Sequence, residues 1–329
     1  MRCALVAGHV CVDLVPDLPA VPHARPGELV EVGALAVHAG GCVANTGGDL
    51  AALGVPVEVA GEAGDDELGV TLRRLLAAKG VGTGQLRLRP GRSTSYSLVL
   101  EPPGVDRSFW HHVGANADWD GTDVELSTVD LLHVGYPSLL PAIAANGGAA
   151  LAALFARARA AGVTTSLDLA VLDPASPAAR YDWAAFLRRV LPLVDVFSPS
   201  VEDIRSALGL DVERDAAGLR RLADRFLAMG AAVVMLTAGT AGIALSTADT
   251  ARLPAGWRGR RHFLVPPRVP VRTTVGAGDA ATAGLLCGLL ADLDPAGSLD
   301  LAAGTAAARV SGAPIGTTAP AAGRGRRPE

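Results

Sequence analysis

The run Thr273-Thr274-Val275-Gly276-Ala277-Gly278-Asp279-Ala280 sets two glycines and a lone carboxylate side by side near the C-terminal end of the chain. Val265, Val269 and Val271 ahead of it read as a strand. Ala281, Ala283, Leu285, Leu286, Leu289 and Leu290 behind it have the spacing of a buried helix. A glycine turn that opens a helix exposes unpaired N–H groups at the positive end of the helix dipole, which suits an anion. Asp279 stands at the same spot, where its charge repels a phosphate, so it needs a task. The simplest is to accept the proton of a hydroxyl that attacks the phosphate. The motif also admits an Asp that only caps the helix. Gly276, Gly278 and Ala281 fit GxGxx[GA] as well, but that fingerprint belongs to the first βα unit, and an acid inside it opposes a pyrophosphate.

A second glycine turn, Gly40-Gly41-Cys42-Val43-Ala44-Asn45, begins another helix. Gly41 lets a small polar ligand come close to the backbone, and Asn45 donates to and accepts from its hydroxyls; a plain helix start is the alternative. Asp13, in an apolar run, is either a charged acceptor for ligand hydroxyls or a surface strand residue. Asn116 is a substrate contact or a turn former. Thr237, Gly239 and Gly242 follow the apolar strand Val233 to Leu236, where ligands gather in open α/β sheets, although a hairpin turn explains the same run. Ser198-Pro199-Ser200-Val201-Glu202-Asp203 reads as a strand end and helix cap, its acids suited to a first helical turn or to steering Mg2+ through water. Asp168 ends a strand with an exposed tip. The seven histidines lack HxxxH or HExxH spacing, and Cys3, Cys11, Cys42 and Cys287 lack a CxxC pair, so no residue is assigned to a metal.

These residues need a scaffold of strands and helices. Residues 3–7 read as a strand, 8–13 begin a second extended piece, and prolines keep 16–26 irregular. Further strands are expected at 30–37 and 55–60, helices from Gly40 to Leu53 and from Asp66 to Lys79, and paired strands at 93–100 and 106–113. Beyond residue 125, strands at 129–134, 163–168, 193–198 and 232–237 alternate with helices at about 147–161, 178–190, 200–208 and 215–229. That alternation predicts a parallel sheet covered on both faces.

The 329 residues, half of them hydrophobic, are enough for one large α/β domain. A net charge of −4 gives no reason to expect nucleic-acid binding. The only lysine, Lys79, lies in no GxxxxGK[ST] run, so a Walker P-loop is absent. No apolar stretch is long enough to span a bilayer, and the apolar start is too short for a signal peptide, so no membrane partner and a reduced cytoplasmic setting are expected.

In this order the motifs resemble the ribokinase (PfkB-type) carbohydrate kinase family over roughly residues 3–318. The marks are Gly40-Gly41 with Asn45, the run from Gly61 to Gly69, Gly114-Ala115-Asn116, Thr237-Ala238-Gly239 and the segment from Thr274 to Asp279. The resemblance implies an α/β fold: a Rossmann-like αβα three-layer core with a mostly parallel sheet, plus a small β-sheet lid. It implies one kinase domain over 1–318, a lid from about 9–38 and 92–113, and a disordered basic tail at 319–329. Its chemistry moves the γ-phosphoryl of Mg-ATP to a hydroxyl of a sugar or sugar derivative. Asp279 is then the base, and Gly276, Ala277 and Gly278 offer N–H groups to the phosphoryl. Asp13, Gly41, Asn45 and Asn116 line the sugar site, Thr237, Gly239 and Gly242 border ATP, and the segment from Ala302 to Gly312 lies near the adenine. Lids in this family often pair, so a homodimer through the lid is implied. A nucleoside acceptor, or a non-catalytic nucleotide- or sugar-binding protein on this scaffold, is the alternative. Three positions depart from the family pattern. Ser200 and Asp203 replace a frequent Asn and Glu, which leaves the Mg2+ contacts unassigned. Thr273 replaces a frequent Asp that helps hold a monovalent cation, so K+ activation does not carry over. Ala281 replaces an aromatic, which alters packing.

Overall fold

The computed structural model describes residues 2–21, 25–105 and 107–316. The expected tail at 319–329 lies outside them, as do residues 22–24 and 106 of the expected lid segments.

The strands are β1 Ala4–Gly8, β2 Cys11–Pro16, β3 Leu35–Gly40, β4 Val57–Gly64, β5 Gly82–Arg89, β6 Tyr96–Leu100, β7 Ser108–His112, β8 Leu131–Gly135, β9 Thr164–Leu167, β10 Val196–Phe197, β11 Val233–Thr237, β12 Ile243–Thr247 and β13 Arg261–Leu264. The helices are α1 Gly41–Ala52, α2 Glu67–Ala78, α3 Pro141–Ala160, α4 Trp183–Val190, α5 Val201–Leu208, α6 Ala216–Ala228, α7 Ala277–Leu290 and α8 Pro295–Ser311. Nine strands form one sheet in the order β13-β12-β11-β10-β9-β8-β1-β4-β5, parallel except where β12 and β13 add in antiparallel fashion. Side chains alternate across it. Leu5 and Ala7 of β1 join a core with Phe155, Phe186, Ile204 and Phe226 of α3 to α6. Ala4 and Val6 join the opposite core, with Leu50, Leu72, Leu285 and Leu299 of α1, α2, α7 and α8. Every residue of β1 is buried, as a strand covered on both faces requires. Asp66, Asp182, Ser200, Asp215 and Asp294 fix helix starts by accepting from N–H groups three residues on.

Four strands form a second sheet, β3-β2-β6-β7, with β2 and β6 parallel and the outer pairs antiparallel. It uses the segments expected to make a small sheet, with β3 displaced to Leu35–Gly40 because β2 pairs with it from Pro16↔Leu35 to Cys11↔Gly40.

Several expectations need correction. No strand precedes the Gly276 turn: β13 ends at Leu264, and Val265 and Val271 are exposed. Pro266, Pro267 and Pro270 remove the donors a ladder needs there. Asp168 is buried rather than exposed at its strand end. The α3 region begins at Pro141, earlier than expected, but its backbone leaves helical geometry from Ala145 to Gly148. Edge strands β5 and β13 are additions to the sequence reading.

Candidate active site

Two helix starts meet at the carboxyl ends of the central strands. α7 opens on Gly276, whose φ of 72° lies in the left-handed region that glycine enters without steric cost. Asp279 is the third residue of that helix. An acid at this position commonly bonds back to the N-cap residue's N–H. Asp279 turns instead to α1 and the end of β8. Its Oδ1 accepts from Thr46 Oγ1 at 2.9 Å, and its Oδ2 from Asn45 Nδ2 at 3.2 Å and the Tyr136 hydroxyl at 2.5 Å. The residue is 3 % exposed. Burial raises its carboxyl above the ordinary aspartate value, while the bonds from Tyr136, Thr46 and Asn45 and the charge of Arg309 pull it back. The turn itself faces outward: Gly278 is exposed, with nothing within 4 Å of where a side chain would stand. The Ala277 N–H bonds back to the Thr274 carbonyl at 3.4 Å, and the first-turn N–H groups of a helix have no partner in the helix's own ladder, so the exposed Gly278 side of this turn suits an anion.

α1 carries the second half of the site. Gly41 opens it at φ 82° with its backbone against His9, and Asn45 and Thr46 lie one turn along. Asp13, on β2, sets its carboxylate against Gly40 at the start of α1, where any side chain on Gly40 would collide with it. The positive end of α1 favours that carboxylate. Burial raises the Asp13 carboxyl, and bonds from Cys11 and Ser97 lower it. Asp13, Gly41, Asn45 and Asp279 are thus gathered about the first turns of α1. Asn116 is placed otherwise. Fully buried, it donates Nδ2 to the Val10 carbonyl at 2.8 Å and accepts from the Val10 N–H at 3.3 Å, pinning the backbone that leads to Asp13.

Thr237, Gly239 and Gly242 lie apart from this group, at the turn between β11 and β12. Thr237 ends β11 and bridges to Ser200, Gly239 is exposed, and Gly242 precedes β12. Ser200 and Asp203 close a capping box, with Asp203 Oδ2 accepting the Ser200 N–H at 2.8 Å, while Glu202 pairs with Arg214 at 2.6 Å. Burial and neighbouring acids raise the Asp203 carboxyl to about 6, and burial with Asp203 and Asp279 pushes Asp168 up. Cys42 is a small buried group: its Sγ reaches the His9 carbonyl at 3.5 Å, and burial pushes its thiol up. Ala302 is buried against Gly284 of α7. Among the described residues no cluster of three or more His, Cys, Asp or Glu is placed to hold a metal. A cavity of about 340 Å³ opens one turn further along α1, lined in part by Asp49, Lys79 and Arg309, and does not include Asp13 or Asp279.

Sequence reasoning missed Tyr136, Thr46, His9, His111 and Arg107. His9 lies between Tyr136, with ring centroids 6.0 Å apart, and His111 of β7, at 5.0 Å. Arg107, just before β7, donates to Thr274 Oγ1 at 2.7 Å and so ties the small sheet to the glycine turn. Gly135-Tyr136-Pro137 at a strand end was the available signal for Tyr136, because ligands collect beyond the carboxyl ends of such strands.

Known proteins resemble the chain along its whole length. The family model for the pfkB family carbohydrate kinase matches residues 1–321. A fructokinase from Klebsiella pneumoniae is 32 % identical over 323 residues, covering 95 % of this chain and 92 % of its own. A 1-phosphofructokinase from Rhodobacter capsulatus is 29 % identical over 311 residues, covering 92 % of this chain and 88 % of its own. The fold matches that of an Arabidopsis thaliana ribokinase complexed with ribose and ATP, with a TM-score of 0.75 at 20 % identity and coverage of 94 % of this chain and 93 % of that one. The match of the family model to nearly every residue, with a relative more than 30 % identical, places the chain in the pfkB family of carbohydrate kinases.

Proposed function

We propose that the protein transfers the γ-phosphoryl of Mg-ATP to a hydroxyl of a sugar, with Asp279 as the general base. One observation carries the reading: the acid at the third position of α7 leaves its own helix uncapped and is held, buried, by Asn45, Thr46 and Tyr136 beside an open glycine turn. In that place it takes the hydroxyl proton as the oxygen attacks. The N–H groups of Gly276, Ala277 and Gly278 meet the charge that develops on the phosphoryl, and phosphoryl transfer depends mostly on such positioning. Asp13, Gly41 and Asn45 hold the acceptor hydroxyls, and Asn116 acts through Val10. Thr237, Gly239 and Gly242 border the nucleotide. Mg2+ would come with ATP and supply charge neutralisation on the phosphates; the acids of α5 are engaged in a cap and an ion pair, so no α5 residue is assigned to it, and with Thr273 in place of an acid no residue is assigned to a monovalent cation.

The small sheet serves as a lid. Its link from Arg107 to Thr274 supports closure over the glycine turn, which excludes water and limits ATP hydrolysis. Two lids pair in a homodimer, a reading supported by Leu35, Phe109 and Trp110, which the sheet leaves exposed. The four unpaired cysteines suit a reduced, cytoplasmic setting. Fructose is the first acceptor to try, given the fructokinase relative. ADP release is the test, measured with ATP and fructose, ribose, phosphorylated ketohexoses, sugar acids or nucleosides. Acceptor-dependent ADP with a sugar is the expected result. ADP release with none of them, despite bound ATP, would overturn the proposal in favour of a non-catalytic binder.

A further inference from the structure

We infer that Tyr136 is a positioning residue for the transfer, its hydroxyl fixing the orientation and charge of the Asp279 carboxylate. This rests on the reading of Asp279 as the base. The first support is the backbone. Tyr136 sits at φ 61°, ψ 49°, a left-handed conformation. Among the described residues the other non-glycine positions with positive φ are Asn146 and Asp292, side-chain types that tolerate it. Tyr136 is aromatic and precedes Pro137, which itself disfavours helical backbone in the residue before it. A bulky residue is held so only where its surroundings over-determine it, and such positions cluster at functional sites.

The second support is what that backbone achieves. It turns the phenol off the end of β8 and lays its ring beside His9, centroids 6.0 Å apart, with the hydroxyl 2.5 Å from Asp279 Oδ2. Burial, with the Asp279 charge beside it, pushes the Tyr136 hydroxyl well up, so it stays a donor. The groups facing Asp279 are mostly acids or potential anions: Cys42 and Asp49 of α1, Asp168 after β9 and Asp203 of α5. Arg309 of α8 is the cation among them. A buried carboxylate so surrounded keeps its charge by accepting hydrogen bonds, and the Tyr136 bond is the largest of those offsetting its burial. Tyr136 acts on the proton through Asp279.

The test is the pH profile of kcat, which reports the base in the ternary complex. Tyr136→Phe keeps the ring and removes the donor. It is expected to lose about tenfold in kcat at neutral pH with little change in acceptor KM, and to move the acid limb to higher pH. Replacing tyrosine by 3-fluorotyrosine, in a Tyr96→Phe/Tyr181→Phe background, leaves Tyr136 as the only site of label. The more acidic phenol is a stronger donor, and the acid limb is expected to move to lower pH. An acid limb unmoved in the fluorinated protein would overturn the inference, whether or not Tyr136→Phe folds. Asp279→Asn separates the two readings: normal turnover in that variant removes the base itself, while its inactivity with an unmoved limb removes only the role of Tyr136.

Discussion

Asp203 and Asp279 hold the same place in two helices, third from the cap, yet they are used differently. Asp203 bonds to the N–H of Ser200 while the Ser200 hydroxyl accepts from the Asp203 N–H, so its polar groups serve its own helix start. Asp279 follows a glycine with no side chain to reciprocate, and its oxygens go to three residues of other elements. Both are buried, and burial raises both carboxyls. On the proposed reading of Asp279 as the base, position and burial do not mark a catalytic acid. The choice of partners does, because an acid released from capping can face a ligand.

That contrast breaks if the two acids behave alike on substitution. Asp279→Asn is expected to lower turnover by roughly two to four orders of magnitude, the usual reach of a general base. Asp203→Asn keeps an oxygen for the Ser200 N–H and is expected to leave turnover within about twofold, measured as ADP release under the same conditions. The caps should separate next. Gly276→Ala strains a left-handed position by about 1–2 kcal/mol and shifts the turn proposed to meet the phosphoryl, so turnover is expected to fall about tenfold or more. Ser200→Ala costs about 1 kcal/mol of stability by chemical denaturation, with turnover retained.

The smallest effect sharpens the comparison through pH. Asp203 titrates at about 6 in the folded protein against an ordinary 3.8. A raised carboxyl favours the folded state below the unfolded value, and that stability is lost as pH rises through the folded one. Its contribution is therefore present near pH 4 and gone above about pH 6. Thermal unfolding of Asp203→Asn should show a flatter dependence than the parent between pH 4 and 6, with the other raised carboxyls, Asp49 at about 6 among them, supplying what remains. Identical slopes would mean that Asp203 does not titrate in this window.

How far the sequence announces all this depends on the element. The parallel strands and their helices are legible because burial on both faces writes long apolar runs, as in β1, and helices repeat their apolar face, as in α2. Edge strands are not: in β5, Gly82-Thr83-Gly84-Gln85 carries little apolar signal, and only Leu86 is fully buried. The valines before Gly276 mimic a strand, but the prolines among them decide otherwise. Within the site, Asp279 and Asn45 are readable as helix-start residues beside glycines. Tyr136 lies 143 residues from its partner, and no spacing rule spans that distance. Asn116 is legible as a polar residue that is either a substrate contact or a turn former, while its commitment to Val10 emerges only once the segment between β1 and β2 and the one-turn helix at 114–117 come together.

Separating nucleotide binding from chemistry in Asp279→Asn tests the central claim most directly. ATP affinity by titration calorimetry and the single-turnover rate of phosphoryl transfer to the accepted sugar would be measured on the same sample. Removing a negative charge from beside the phosphates should leave ATP bound as tightly as in the parent or more tightly, while transfer falls by roughly two orders of magnitude or more. Transfer at the parental rate, with ATP fully bound, would contradict the account.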